Sequence, residues 1–139
     1  MKPKAIIVDL DGTLANLRGR NPYDGTEIDK DLVNNLLAKV LEWFLDRDVK
    51  LIIATGRIET YRLETEKWLH DHEINYDVLL MRPADDIRSA VELKEDWLLH
   101  KMLPLYEIVL AFDDMWRVAD MYRSHDIQCW QVDKDPFYK

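Results

Sequence analysis

Short apolar runs and longer amphipathic stretches alternate along the whole chain. Runs rich in Ile and Val predict strands, and stretches whose apolar residues recur every three or four positions predict helices. Five strands are predicted, at Ala5–Leu10, Val49–Ala54, Tyr76–Met81, Glu107–Phe112 and Ile127–Val132. Four helices are predicted between them, at Asp31–Asp46, Glu59–His72, Ser89–Met102 and Met115–His125.

This order of elements predicts the fold class. Strands that alternate with helices pair in parallel through crossover connections, and the strand runs are continuously apolar, as expected when helices cover both faces of a sheet. We therefore expect an α/β protein with a five-stranded, doubly wound parallel sheet. The 139 residues fit a single domain spanning 1–139, and the intervals around the strands are too short for a large cap domain.

Polar clusters follow three of the predicted strands. In chain order they are Asp9 and Asp11, then Thr55, Gly56 and Arg57, and then Asp113 and Asp114. Ligands of doubly wound sheets bind beyond the carboxyl ends of the strands. We therefore expect the three clusters to converge on one site.

The first cluster, Asp9-Leu10-Asp11-Gly12-Thr13, combines two acids with a residue that permits a sharp turn. Two carboxylates beside a phosphate would repel it unless a hard divalent cation lay between them, and Mg²⁺ prefers such oxygen ligands. One carboxylate could then attack phosphorus while the second transfers protons. The alternative interpretation is a strand–turn whose acids are simply solvated.

The other two clusters suit the same chemistry. In Thr55-Gly56-Arg57 a hydroxyl, a backbone N–H and a guanidinium group lie between a strand and a helix N-terminus, which favours phosphate binding. Asp113-Asp114 would complete an oxygen cage for Mg²⁺. For each cluster the alternative is a helix cap.

Net charge, cysteine content and the length of the apolar runs exclude several classes of protein. The net charge of −8 argues against a protein that grips long nucleic acid by counterion release, but not against an enzyme that touches one phosphate end. The single cysteine, Cys129, excludes an internal disulfide and is expected to be buried in a strand. No membrane span or signal-peptide pattern is recognisable, so we expect a cytoplasmic protein.

These elements, in this order, resemble the four signatures of the haloacid dehalogenase superfamily of phosphotransferases. The residues that carry the resemblance are Asp9 and Asp11, Thr55, Lys94, and Asp113 and Asp114. The resemblance implies a Rossmannoid three-layer αβα sandwich, with Asp9 as nucleophile, Asp11 as general acid–base and Lys94 as the cation that neutralises nucleophile and phosphate. It also implies Mg²⁺ held by Asp9, the Asp11 backbone carbonyl and Asp113 or Asp114.

A narrower resemblance lies in Gly19-Arg20-Asn21-Pro22-Tyr23-Asp24 and in Cys129-Trp130-Gln131-Val132. Both segments are similar to the 3′-phosphatase domain of phage-type polynucleotide kinase–phosphatases. That similarity implies removal of 3′-terminal phosphate from nucleic acid ends or 3′-nucleotides. The substrate-binding residues that we expect are Thr13, Arg20, Thr55, Gly56 and Arg57.

The chain departs from that family at two points. Ala90 stands where the family commonly has an aspartate that orients the lysine, so we expect Asp85, Asp86 or Glu92 to orient Lys94. No G-x-x-x-x-G-K-[ST] phosphate loop occurs, so a kinase or ligase step would need another protein.

Without a large cap, we expect an open site with an accessible Asp9. Such a site suits a phosphate on the end of a polymer better than it suits the selection of a small molecule. Two alternatives stay open: a phosphatase of the same superfamily acting on free nucleotides or other small phosphate esters, and a non-catalytic binding module on the same scaffold.

Overall fold

A computed structural model describes residues 1–17 and 19–136. The strands are β1 (Lys4–Val8), β2 (Ala15–Asn16), β3 (Leu32–Val33), β4 (Lys50–Ile58), β5 (Val78–Arg82), β6 (Glu107–Asp113) and β7 (Cys129–Gln131). The α-helices are α1 (Asn35–Leu45), α2 (Arg62–Asp71), α3 (Ala90–Trp97) and α4 (Trp116–Ser124). Short 3₁₀ turns occupy Gly25–Lys30 and Glu59–Tyr61, and a π-helical turn at Leu98–Met102 continues α3. Every helix in this part of the chain is too short or too polar to span a lipid bilayer.

Five strands form one parallel sheet in the order β5-β4-β1-β6-β7, which confirms the predicted fold class. The chain builds β4 and β5 on one side of β1 and then returns to build β6 and β7 on the other. The order therefore reverses at β1, and the ends of β1 and β6 lie beside the switch point where such sheets bind ligands.

Side chains of β1 alternate between two cores, because successive residues of a strand face opposite sides of the sheet. Ile6 and Val8 pack with the buried residues of α1 and α2, and Ala5 and Ile7 pack with those of α3 and α4. The result is the expected three-layer arrangement. Cys129 is buried in β7, as the sequence predicts.

The first helix begins later than the sequence predicts. Asn34 caps α1 by accepting a hydrogen bond from the N–H of Leu37, so the predicted start at Asp31 is wrong. Leu32–Val33 forms β3 instead, which pairs antiparallel with β2. The two short strands form a flap between β1 and α1, and Asp31, which directly precedes β3, is buried with 2% of its surface exposed.

The strand β4 is longer than predicted, and the helix after it starts later. Its pairing with β5 resumes at Ile58 after an irregularity beyond Thr55, so β4 does not end at Ala54. Helix α2 begins only at Arg62, after a 3₁₀ turn. Thr55-Gly56-Arg57 therefore lies within a strand, and the expected helix N-terminus directly after this cluster is wrong; phosphate binding by the cluster stays a prediction.

Candidate active site

Three buried carboxylates cluster where β1 and β6 end. One oxygen each of Asp9, Asp113 and Asp114 lies within 4.8 Å of the others. The register explains this proximity: Val8 of β1 pairs with Phe112 of β6, so the residues that follow them emerge side by side. The convergence of the first and last predicted clusters is therefore a direct consequence of parallel pairing.

Lys94 lies between two of these acids. Its Nζ is 2.8 Å from Asp9 Oδ1 and 2.9 Å from Asp113 Oδ2, and only 2% of the residue is exposed. The acids of the cluster therefore orient the ammonium group. The expectation that another nearby acid takes this role is wrong for all three candidates, Asp85, Asp86 and Glu92.

The electrostatics of the cluster favour a bound cation. Burial raises the pKa of Asp9 well above its ordinary value and the charge of Asp113 adds to the rise, although Lys94 opposes it. Burial likewise raises the pKa of Asp114 to about 6. Burial lowers the pKa of Lys94, but the charges of Asp113 and Asp9 outweigh it and leave that pKa well above its ordinary value. Three buried acids thus face one lysine, a set of hard oxygen donors with excess negative charge that fits Mg²⁺.

The turn after β1 shapes this cluster. Gly12 has φ +82°, and a Cβ at this position would lie 2.2 Å from Asp114 Oδ2, so only glycine lets the backbone approach that carboxylate. The hydroxyl of Thr13 lies 3.3 Å from Asp9 Oδ2 and 3.1 Å from Asp114 Oδ1. Thr13 thus contacts the acids, and its contact with substrate stays a prediction.

Asp11 points away from the three-acid cluster and pairs with Arg57. Arg57 donates from Nη2 and Nε to Asp11 Oδ1 at 2.6 and 2.9 Å, and a second bond from Nη2 reaches Asp31 Oδ2 at 2.9 Å. Its Nη1 lies 3.2 Å from Thr65 Oγ1. Most of the guanidinium donors are therefore used inside the protein, and phosphate binding by Arg57 stays a prediction.

Asp31 is a site residue that the sequence did not reveal. It forms a two-bond pair with Arg20, whose Nε and Nη2 lie 2.9 and 2.8 Å from its carboxylate oxygens, and it also holds Arg57. Its carbonyl accepts a hydrogen bond from Trp68 Nε1 at 2.9 Å. One signal in the sequence could have pointed to Asp31. Arg20 and Arg57 were predicted site residues without an assigned acidic partner, and a buried arginine needs one.

Thr55 and Gly56 form another part of the wall. Thr55 is fully buried, and its hydroxyl accepts a hydrogen bond from the backbone N–H of Arg57 at 3.1 Å. The Gly56 carbonyl accepts one from Arg82 Nε at 3.1 Å. This β4 segment is thus held in a fixed shape beside the acids.

These residues surround a cavity of about 800 Å³. Nine of the ten predicted site residues line it: Asp9, Asp11, Thr13, Arg20, Thr55, Gly56, Arg57, Lys94 and Asp114. Asp113 does not line the cavity, but one of its oxygens belongs to the three-acid cluster and the other residues of that cluster do line it. Only 6% of Asp9 is exposed, and residues such as Gly25, Ile28 and Val33 form one wall of the cavity. The expectation of an open site with an accessible Asp9 is therefore wrong.

Comparisons with known proteins bear on the family and the fold of this chain. The family model described as the polynucleotide kinase PNKP phosphatase domain matches residues 3–137. Two solved structures, of the Pnkp1/Rnl/Hen1 RNA repair complex and of a Pnkp1/Rnl/Hen1 complex, each contain a chain that is 39% identical, with a TM-score of 0.93 over 98% of this chain. A relative named as a bifunctional polynucleotide kinase/RNA ligase, from Autographa californica nuclear polyhedrosis virus, is 26% identical over 125 residues, or 88% of this chain. The chain spans 44% and 48% of the two solved chains and 18% of the viral protein.

Proposed function

Because this chain belongs to the family of polynucleotide kinase PNKP phosphatase domains, we propose that it is a Mg²⁺-dependent 3′-phosphatase. Its substrates would be the 3′-phosphates of nucleic acid ends or of 3′-nucleotides. The reaction would pass through an aspartyl-phosphate on Asp9. The observation that carries the proposal is the cluster of Asp9, Asp113 and Asp114, whose oxygens lie within 4.8 Å of one another, with Lys94 bonded to two of them.

Asp9, Asp113, Asp114 and the backbone carbonyl of Asp11 are the groups that would hold Mg²⁺. The bound ion would offset the charge of these acids and of the phosphate oxygens. Lys94 supplies a fixed positive charge at the same place, and Thr55, Gly56, Arg20 and Arg57 are the proposed contacts of the phosphate.

The chemistry then needs two acids in different roles. The carboxylate of Asp9 attacks phosphorus in line, and the bond between phosphorus and the 3′-oxygen breaks. Asp11 gives a proton to the leaving 3′-oxygen and then takes one from the water that hydrolyses the aspartyl-phosphate. Arg57 holds Asp11 in position for both transfers, and positioning of this kind supplies much of the rate in phosphoryl transfer.

The relatives support a polynucleotide end as the substrate. One is part of an RNA repair complex and another is named for kinase and ligase activities. A separate kinase or ligase acting on the same ends is therefore the kind of protein that we propose as a partner in the pathway. Hydrolysis of free nucleotides is the second candidate, because a cavity of about 800 Å³ falls in the size range of small-molecule sites.

A substrate panel tests this proposal. The wild type and Asp9→Asn would be assayed, with and without Mg²⁺, on 3′-phosphorylated DNA and RNA oligonucleotides, 3′- and 5′-mononucleotides and an aryl phosphate. We expect Mg²⁺-dependent turnover of the 3′-phosphates by the wild type, a phosphoryl adduct on Asp9, and no turnover by Asp9→Asn despite an unchanged fold.

Three results would count against the proposal. Activity of Asp9→Asn would remove the nucleophile assignment. Turnover of the aryl phosphate and 5′-mononucleotides, without turnover of any 3′-phosphate, would favour the small-ester phosphatase. Failure of every ester would favour a non-catalytic binding module.

A further inference from the structure

The mouth of the active-site cavity carries exposed apolar side chains. Tyr23, Leu32 and Leu36 all line the cavity, with 76%, 51% and 79% of their surfaces exposed. The floor is formed by acids and cations that suit a phosphate group. Apolar side chains do not strengthen the binding of a phosphate group. We therefore expect this rim to contact the group to which the phosphate is attached.

The loop that presents Tyr23 is fixed by hydrogen bonds. The Tyr23 N–H donates to Asn21 Oδ1 at 2.9 Å, and Arg20 donates to the carbonyls of Asn21 and Asp24. The Asp24 carboxylate accepts from the Thr26 N–H at 3.0 Å and so starts the 3₁₀ turn. The Tyr23 ring itself makes no hydrogen bond or ring contact within residues 1–17 and 19–136, so a fixed backbone presents a free aromatic face.

This loop is also connected to the proposed general acid. Arg20 pairs with Asp31, Asp31 pairs with Arg57, and Arg57 holds Asp11. The backbone beneath Tyr23 is therefore tied through buried ion pairs to the place where the leaving 3′-oxygen would lie. A nucleoside attached to that oxygen would extend from the floor towards the rim, since residues of both line the same cavity.

We propose, on the basis of the 3′-phosphatase function above, that Tyr23 stacks on the terminal base of the strand whose 3′-phosphate is removed. Leu32 and Leu36 add apolar contact at the same rim. Each base has a flat π-face, so such a contact binds all of them without reading sequence. A sugar phosphate has no such face and would gain little from Tyr23.

The test compares two 3′-phosphorylated oligonucleotides that differ only in whether the terminal residue carries a base or is abasic. Because stacking on an aromatic side chain strengthens binding of a base, we expect Tyr23→Ala to raise KM about tenfold for the base-bearing substrate. KM for the abasic substrate should not change. Tyr23→Phe, which keeps the ring, should restore the low KM, and an equal effect of Tyr23→Ala on both substrates would overturn the proposal.

A matched pair of leucines provides the control. Leu36 and Leu63 are each 79% exposed on a helix, but only Leu36 lines the cavity. Leu36→Ala should raise KM for the base-bearing substrate, and Leu63→Ala should leave both substrates unaffected. Equal effects of the two variants would count against a specific rim.

A binding experiment separates this inference from the proposed function. If the wild type hydrolyses neither oligonucleotide, the 3′-phosphatase proposal fails, but Asp9→Asn can still be titrated with an oligonucleotide carrying 2-aminopurine next to its 3′-phosphate. Stacking would be supported if Asp9→Asn quenches the fluorescence of 2-aminopurine and the double variant, which also carries Tyr23→Ala, does not. No quenching, or the same quenching in both proteins, would overturn it.

Discussion

The guanidinium group of Arg57 holds the carboxylate of Asp11 by two bonds to Oδ1, from Nη2 at 2.6 Å and from Nε at 2.9 Å. Arg57 is itself buried and is fixed by Asp31 and Thr65. The acid that we propose as the proton donor is therefore positioned by a side chain that cannot easily move. This arrangement makes the geometry of Arg57, and not only its charge, important for turnover.

Arg57→Lys should lower kcat by about 10- to 100-fold, because lysine keeps the charge but lacks the planar fork that aligns a carboxylate. Steady-state kinetics on a 3′-phosphorylated oligonucleotide would measure the effect. Arg62→Lys is the matched control, because Arg62 forms a partly exposed pair with Glu59. This substitution should change kcat little. A rise in KM without a fall in kcat would show instead that Arg57 acts mainly on the phosphate.

Asp31→Asn should destabilise the protein by about 3 kcal/mol, because it leaves Arg20 and Arg57 buried without their shared counter-charge. The free energy of unfolding in urea would measure this loss. Asp29→Asn is the control: Asp29 is exposed two residues away, and its replacement should change stability by less than about 0.5 kcal/mol. Equal stability of the two variants would mean that the arginines find other partners.

The sequence predicts the fold and most of the site for a simple physical reason. Apolar runs specify parallel strands, and parallel register then places Asp9 and Asp113 side by side. The position of Asp31 was not predictable in this way, because the apolar periodicity of α1 continues through Leu32–Val33 although these residues pair with β2. The contact of Lys94 with Asp9 follows from the role that the resemblance implies, but its second partner was missed: Asp113 lies 19 positions away in sequence, and the acids expected to orient Lys94 were all closer to it in the chain.

Gly12→Ala should abolish Mg²⁺ binding and turnover, because the new Cβ would lie 2.2 Å from Asp114 Oδ2. Gly19→Ala is a closely matched control: Gly19 has the same φ of +82°, but within the described residues, its chain neighbours apart, no atom would lie within 4 Å of a Cβ there. Both variants should lose about 1 kcal/mol of stability from the left-handed backbone. Mg²⁺ titration by calorimetry and oligonucleotide turnover should separate them, and parallel losses of Mg²⁺ affinity would refute the steric explanation.

Asp114 should make the metal-free protein less stable as pH rises. Burial raises its pKa from an ordinary 3.8 to about 6, so between these values the folded state binds a proton that the unfolded chain has released. The stability contributed by this proton is complete below about pH 4 and is lost as pH rises through about 6. Asp114→Asn carries no such charge. In EDTA it should therefore be more stable than the wild type above pH 6, by a margin that closes as pH falls towards 4.

Urea unfolding of both proteins across this pH range would measure the margin, with Asp120→Asn, an exposed acid on α4, as the control that should show none. Excess Mg²⁺ at neutral pH should then stabilise the wild type, because a ligand that binds only the folded state shifts the equilibrium towards it. It should stabilise Asp114→Asn much less, since that variant has lost one of the three clustered carboxylates. A margin that does not vary with pH, or equal stabilisation of both proteins by Mg²⁺, would mean that Asp114 is neither the buried charge nor the metal ligand that its position indicates.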